Sequence, residues 1–167
     1  MLDLVKQRLG DGLLSHEVVC GEDVLTVAPE GIHAALEMLR DAPEFDCALL
    51  SDLFGMDLGA DGLAVVYHLV SLSHRRRLRV KALAPEVDSA SDLWPAAAWL
   101  EREAYDMFGL RFRNHPDLRR ILLPEGYEGH PLRKDYPMQG RGERDAFTKY
   151  TTQTPLGDLL SSREKLA

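Results

Sequence analysis

Residues Trp94–Pro137 read WPAAAWLEREAYDMFGLRFRNHPDLRRILLPEGYEGHPLRKDYP, a helical pattern that empties into a charged, proline-studded segment. Pro95 suits a first helical turn and Gly109 a helix end, so the spacing predicts a helix running to about Phe108. Helical phasing puts Ala96, Leu100, Ala104 and Met107 on one apolar stripe. Glu103 falls on the flank of that stripe and Glu101 on the other, beside Phe108. Arg102 and Asp106 stand four apart on the polar side, the spacing of an intrahelical ion pair. At least one carboxylate, Glu103, is therefore expected at the edge of the core, where it needs a partner. Arg111, Arg113, Arg119 and Arg120 follow just downstream, and the guanidinium fork suits a carboxylate.

The segment after the helix cannot continue as regular structure. Pro116, Pro124, Pro131 and Pro137 interrupt it at close intervals, excluding a long helix or a central strand. Arg111, Arg113, Arg119, Arg120, Arg133 and Lys134 alternate there with Phe112, Ile121, Leu122, Leu123, Tyr127, Leu132 and Tyr136. That composition suits docking against a neighbouring protein, or a belt around the chain's own domain; the two are compatible. Other chemistries are conceivable on the same residues. Glu103 or Asp106 with His115 as proton shuttle would make an acid–base pair, though no nucleophile or anion loop accompanies it. His115, Asp117, His130 and Asp135 offer metal-ligand types. Each histidine precedes a proline, however, which restricts it to extended backbone more typical of a turn.

Outward from this stretch, the chain reads as one small domain. Leu2, Val5 and Leu9 share a helical face that Gly10 and Gly12 close. His16–Cys20 and Asp23–Ala28 are β-prone runs around a Gly21-Glu22 turn. Pro29 opens a second helix carrying Ile32, Ala35, Leu36 and Leu39, ending before Pro43. Cys47–Leu53 is a short apolar run followed by turn residues Gly55, Gly59, Asp61 and Gly62. Leu63–Leu72 is apolar on both alternating sets and reads as a central strand. Leu78–Ala84 alternates, and Ser73–Arg77 is the bend between the two. Arg75, Arg76, Arg77 and Arg79 at that bend are read as a solvated turn, with an anion-binding module as the alternative. The order α-β-β-α-β-β-β-α gives an α+β fold. A small mixed, mostly antiparallel sheet has helices packed on it, and an extended C-terminal arm follows. The division falls at residues 1–110 and 111–167.

Composition narrows the function. The 167 residues suit one domain. Residues 1–60 hold 12 acids against 3 bases, which disfavours a nucleic-acid partner. The more basic remainder suits an acidic partner surface. Two cysteines, Cys20 and Cys47, exclude a thiolate cluster or zinc site built by this chain alone and are expected as buried free thiols. There is no leader pattern, no membrane-length apolar run, and no dinucleotide or P-loop fingerprint.

Glu101-Arg102-Glu103, Asp106-Met107-Phe108, then His115, Arg119, Ile121 and Leu122 resemble the signature of the C subunit of NADH-quinone oxidoreductase, the 30 kDa hydrophilic subunit of respiratory complex I. GHPLRKDYP (Gly129–Pro137) and YHLVSLSHRRRLRVKALAPE (Tyr67–Glu86) resemble the same family, so the similarity spans about Leu50–Pro137. The resemblance implies a non-catalytic subunit of the peripheral arm on the cytoplasmic side of the cell membrane, attached to the membrane only through partners. It implies packing against the D subunit of complex I, with the B and I subunits nearby. FMN, iron–sulfur clusters and quinone would sit in partner subunits, with no cofactor on this chain. Glu101, Arg102, Glu103, Asp106, His115, Arg119, Arg120, His130, Arg133, Lys134 and Asp135 would then be signature residues for ion pairing and docking, with no catalytic residue among them. Similar subunits occur in membrane-bound hydrogenases and in plastoquinone- or deazaflavin-linked dehydrogenases, so the motif alone leaves the electron donor open. The tail beyond Met138 is expected to order only in a complex.

Overall fold

Strand β4, Leu63–Ser71, sits inside a five-stranded sheet because both of its alternating sets are apolar. The computed structural model describes residues 2–124 and 126–142; the expectation about the tail falls mostly outside them. The elements in order are α1 (Leu2–Leu9), β1 (Leu13–Val19), β2 (Glu22–Val27), α2 (Ile32–Asp41), β3 (Leu49–Asp57), β4, β5 (Arg76–Leu83), β6 (Glu86–Asp88), α3 (Ala97–Phe108) and β7 (Arg111–Arg113). The sheet order is β1-β2-β5-β4-β3, with β2 and β5 parallel and the other pairs antiparallel. This is the expected α+β architecture.

One face of the sheet makes the core. Ile32, Ala35, Leu36 and Leu39 of α2 pack in one cluster with Leu25, Leu53, Val65, Tyr67, Leu69, Val80 and Ala82 from four strands and Ala97 and Ala104 from α3. The alternate set on β4 is Ala64, Val66 and His68; His68 meets Phe54 edge-on at 5.3 Å and accepts from Arg79 Nε at 3.0 Å.

Four details depart from expectation. The first hairpin turns at Cys20-Gly21, both with positive φ of 52° and 80°, so pairing already begins at Val19–Glu22. Cys20 is exposed there, and only Cys47 is buried; burial pushes its thiol up to about 11. Gly55 lies inside β3, where a Cβ would stand 2.6 Å from Phe108 and 2.7 Å from Leu110. It is glycine because α3 and the residues after it press on the strand. Lastly, β6 and β7 form a short parallel pair that three-residue runs are too brief to announce. Leu110 and Phe112 thereby enter the core.

Candidate functional site

Helix α3 ends where a glycine is expected to end it: Gly109 takes φ 77° and its N–H donates to Tyr105 O at 2.8 Å. The buried stripe, though, is Ala97, Glu101, Ala104, Asp106 and Met107. Ala96 is exposed and Leu100 only half-buried. The stripe is rotated because α3 meets β3 on one side and the downstream segment on another, so two of its flanks are covered. Glu103, the expected core-edge carboxylate, faces solvent. The carboxylates taken out of water are Glu101 and Asp106, both with 0% exposure.

Asp106 is the hub of the site. Its Oδ1 accepts from Arg120 Nη1 at 2.6 Å. Its Oδ2 accepts three successive backbone N–H groups, Ile121 at 3.0 Å, Leu122 at 2.8 Å and Leu123 at 2.9 Å. Three consecutive amides turned to one oxygen form an anion cradle, and here the anion is supplied by the helix. Burial alone would raise the Asp106 carboxyl. The Leu123 amide, Arg120 and the other two amides outweigh it and hold the group below the usual aspartate range.

The segment also satisfies the end of the helix that Asp106 belongs to. Asp106 O accepts from His130 Nδ1 at 2.9 Å, and Met107 O accepts from Leu132 N–H at 3.1 Å. These carbonyls are orphaned by helix termination, and the guanidinium of Arg120 stands at the negative end of the helix. Arg120 Nη2 reaches on to Gly129 O at 3.0 Å, and the guanidinium lies 5.9 Å from the Tyr127 ring centre. The His130 ring sits where a Gly109 side chain would be, 2.7 Å from an added Cβ.

The remaining signature residues tie neighbouring turns. Arg102 does not pair with Asp106. It donates from Nε to Arg119 O and from Nη2 to Arg120 O, both at 3.0 Å, with its guanidinium 5.3 Å from the Trp99 ring centre. Asp106 is unavailable to it because four donors already converge there. Of the four candidate arginines only Arg120 reaches a buried helical carboxylate. Arg113 bonds Asp88 at 2.8 Å, Arg119 pairs with Asp117 at 2.9 Å in solvent, and Arg111 is exposed. Arg133 pairs with Asp135 at 3.2 Å, and Lys134 donates its N–H to Asp57 Oδ2 at 2.7 Å. The Lys134 and Gly59 amides hold the Asp57 carboxyl below its usual range. Sequence reasoning misses Asp57; its nearest signal is the turn-forming run that follows it.

His115 has both ring nitrogens engaged. Nδ1 accepts from Asp117 N–H at 3.0 Å, which leaves the proton on Nε2 to bond Ala98 O at 3.0 Å. Glu101 accepts from Ala90 N–H at 2.7 Å, and its Oε2 lies 2.6 Å from Ser89 Oγ. Burial, first, pushes its carboxyl up to about 7, against the lowering effect of Ser89 and Ala90. An acid–base pair built on Glu103 or Asp106 with His115 finds no support here, since one carboxylate is in solvent and the other is held ionised by four donors. Nor are His115, Asp117, His130 and Asp135 gathered: among the described residues no three metal-ligating side chains converge. No described helix is long and apolar enough to cross a membrane.

Comparison with known proteins meets this geometry. The fold recurs in a trypsin-resistant fragment of Nqo5, with a TM-score of 0.58 and 28% identity over 70% of this chain and 98% of that one. It recurs again in the membrane-bound sulfane sulfur reductase, an archaeal respiratory membrane complex, with a TM-score of 0.68 and 20% identity over 92% and 96%. The fold is thus shared with a component of an archaeal respiratory membrane complex. Residues 25–142 match the family described as the respiratory-chain NADH dehydrogenase 30 Kd subunit. The NADH-quinone oxidoreductase C subunit of Citrifermentans bemidjiense is 47% identical over 81% of this chain and 87% of its own length, and that of Thiobacillus denitrificans is 43% identical over 83% and 76%. The chain belongs to the 30 kDa subunit family of respiratory-chain NADH dehydrogenase. It is a structural subunit of the peripheral arm of complex I and serves NADH:quinone oxidoreductase activity as part of that assembly.

Proposed function

We propose that residues 111–167 are the part of this chain that docks onto the rest of the complex, and that residues 1–110 hold it in place. The main partner is the D subunit of complex I, with the B and I subunits nearby, on the cytoplasmic side of the membrane. The chain binds no flavin, cluster or quinone itself; those belong to its partners. Glu101, Arg102, Asp106, His115, Arg120 and His130 shape the seat of the arm. Glu103, Arg119, Arg133, Lys134 and Asp135 lie on its outer side.

One observation carries this reading. The Asp106 tie fixes the backbone at residues 121–123 while leaving Leu122 61% exposed, and Leu132 and Met138 beyond it are 55% and 104% exposed. A backbone held firmly with its large apolar side chains turned outward suits a partner surface. The test is purification of the assembly in mild detergent, with a photocrosslinker placed at position 122 or 132. A crosslink to the D subunit is the expected result. Crosslinks confined to this chain would overturn the reading.

A further inference from the structure

Shaping the seat of the arm does not require Glu101 to be a carboxyl so far from any fixed cation. It is fully buried, and among the described residues no lysine or arginine lies within ion-pair distance of it. His115 Nε2 stands 3.8 Å from it and is already committed to Ala98 O. The hydroxyl beside it can be arranged in two ways. Ser89 Oγ accepts from Ser91 N–H at 3.1 Å and lies 2.8 Å from Ser91 Oγ and 2.6 Å from Glu101 Oε2. A serine hydroxyl has one proton, so it cannot donate to both oxygens at once. If it donates to Ser91, the short contact needs a proton on Glu101. If it donates to a Glu101 carboxylate, Ser91 must donate to it.

We propose that Glu101 is a proton-binding site, a buried carboxyl that carries its proton on Oε2 against Ser89 and exchanges it with solvent through the Ser89–Ser91 hydroxyl pair. The two hydrogen-bond patterns are the two ends of one transfer. The Glu101 proton passes to Ser89 Oγ, the Ser89 proton passes to Ser91 Oγ, and the Ser91 proton leaves to water. Glu101 is then an anion accepting from Ser89, and Ser89 accepts from Ser91. Ser89 is 4% exposed and Ser91 half-buried, so the pair runs from the core toward the surface.

The surroundings favour the loaded form. Burial is the largest effect, and Asp92 nearby opposes a second negative charge, while Ser89, Ala90 and His33 favour it. His33 is itself paired with Asp92 at 2.9 Å. The Tyr67 hydroxyl is buried with no partner among the described residues, its ionisation opposed first by burial and then by Glu101 and Asp88. Asp88 is taken up by Arg113 at 2.8 Å. No described group facing Glu101 supplies a fixed positive charge, and a proton is the counter-charge that fits.

Carboxyl-carbon NMR of the full chain labelled at glutamate tests this. One resonance is expected to titrate with a midpoint near 7, well above an ordinary glutamate at 4.5, and E101Q should delete that titration alone. A Glu101 resonance with an ordinary midpoint overturns the proposal. If E101Q does not fold, S89A identifies the same resonance, because loss of the hydroxyl must move its midpoint upward; an unmoved midpoint also overturns it. S91A leaves the Glu101 contacts intact and should slow transfer of the carboxyl proton to water by about tenfold or more, seen by saturation transfer. An unchanged rate overturns the hydroxyl route.

Discussion

The sheet with its helices and the segment after Phe112 are held by different physics. In the first, apolar side chains from α2, four strands and α3 share one cluster. In the second, no described residue is buried as a whole, although the His115 side chain is only 1% exposed. Hydrophobic burial tolerates small changes because it is spread over many contacts. The arm's order instead depends on a few directional bonds converging on Asp106 and on the last carbonyls of α3. A segment without a core can still take one shape, provided that a single buried charge organises its amides.

The largest expected effect is therefore polar. Asp106→Ala strands Arg120 and three amides, and should cost about 3–5 kcal/mol. Urea denaturation would measure the loss, and limited proteolysis should open the chain near residues 119–130. If proteolysis opens the sheet first, the two regions are not separately held. A smaller effect on the other side of the comparison comes from Gly55→Ala. Its new Cβ would collide with Phe108 and Leu110, at about 1–3 kcal/mol, and should leave the arm's cleavage pattern unchanged.

The two buried carboxylates of α3 should respond to pH in opposite senses. Asp106 is held below its ordinary value of 3.8, so its contribution is present above that pH and lost as pH falls through its folded value. Glu101 is raised from 4.5 to about 7, so its contribution is full below 4.5 and lost as pH rises to 7. Glu101→Gln should accordingly leave stability flat across that window and gain up to about 3 kcal/mol over the wild type above it. Stability curves of the two proteins against pH would check this. Glu103→Gln, in solvent, should change stability by less than about 0.5 kcal/mol. A larger loss would mean that α3 buries the flank expected from simple phasing.

Much was legible in the chain because local rules act on local residues. Gly109 stops α3 where a glycine should, and Ile32, Ala35, Leu36 and Leu39 are buried as their spacing requires. The crowd of arginines after the helix did announce a buried carboxylate. Which carboxylate was not legible: phasing against one apolar stripe chose Glu103, whereas α3 is covered on two sides. Arg102 and Asp106 have the spacing of a pair, yet each is occupied by segment 119–123. Gly55 reads as a turn residue until Phe108 and Leu110 are seen lying on it.

By itself the sequence determined the longer elements, their order, the end of α3 and the family resemblance, since propensity, periodicity and motif spacing are properties of neighbours along the chain. Only the tertiary structure decided that Asp106 is the hub, that Glu101 is buried without a cation, and that Asp57 holds Lys134. These depend on which groups meet across 14 to 77 residues. A carboxylate takes its partner by where the folded backbone brings donors together, and no spacing rule along one helix contains that.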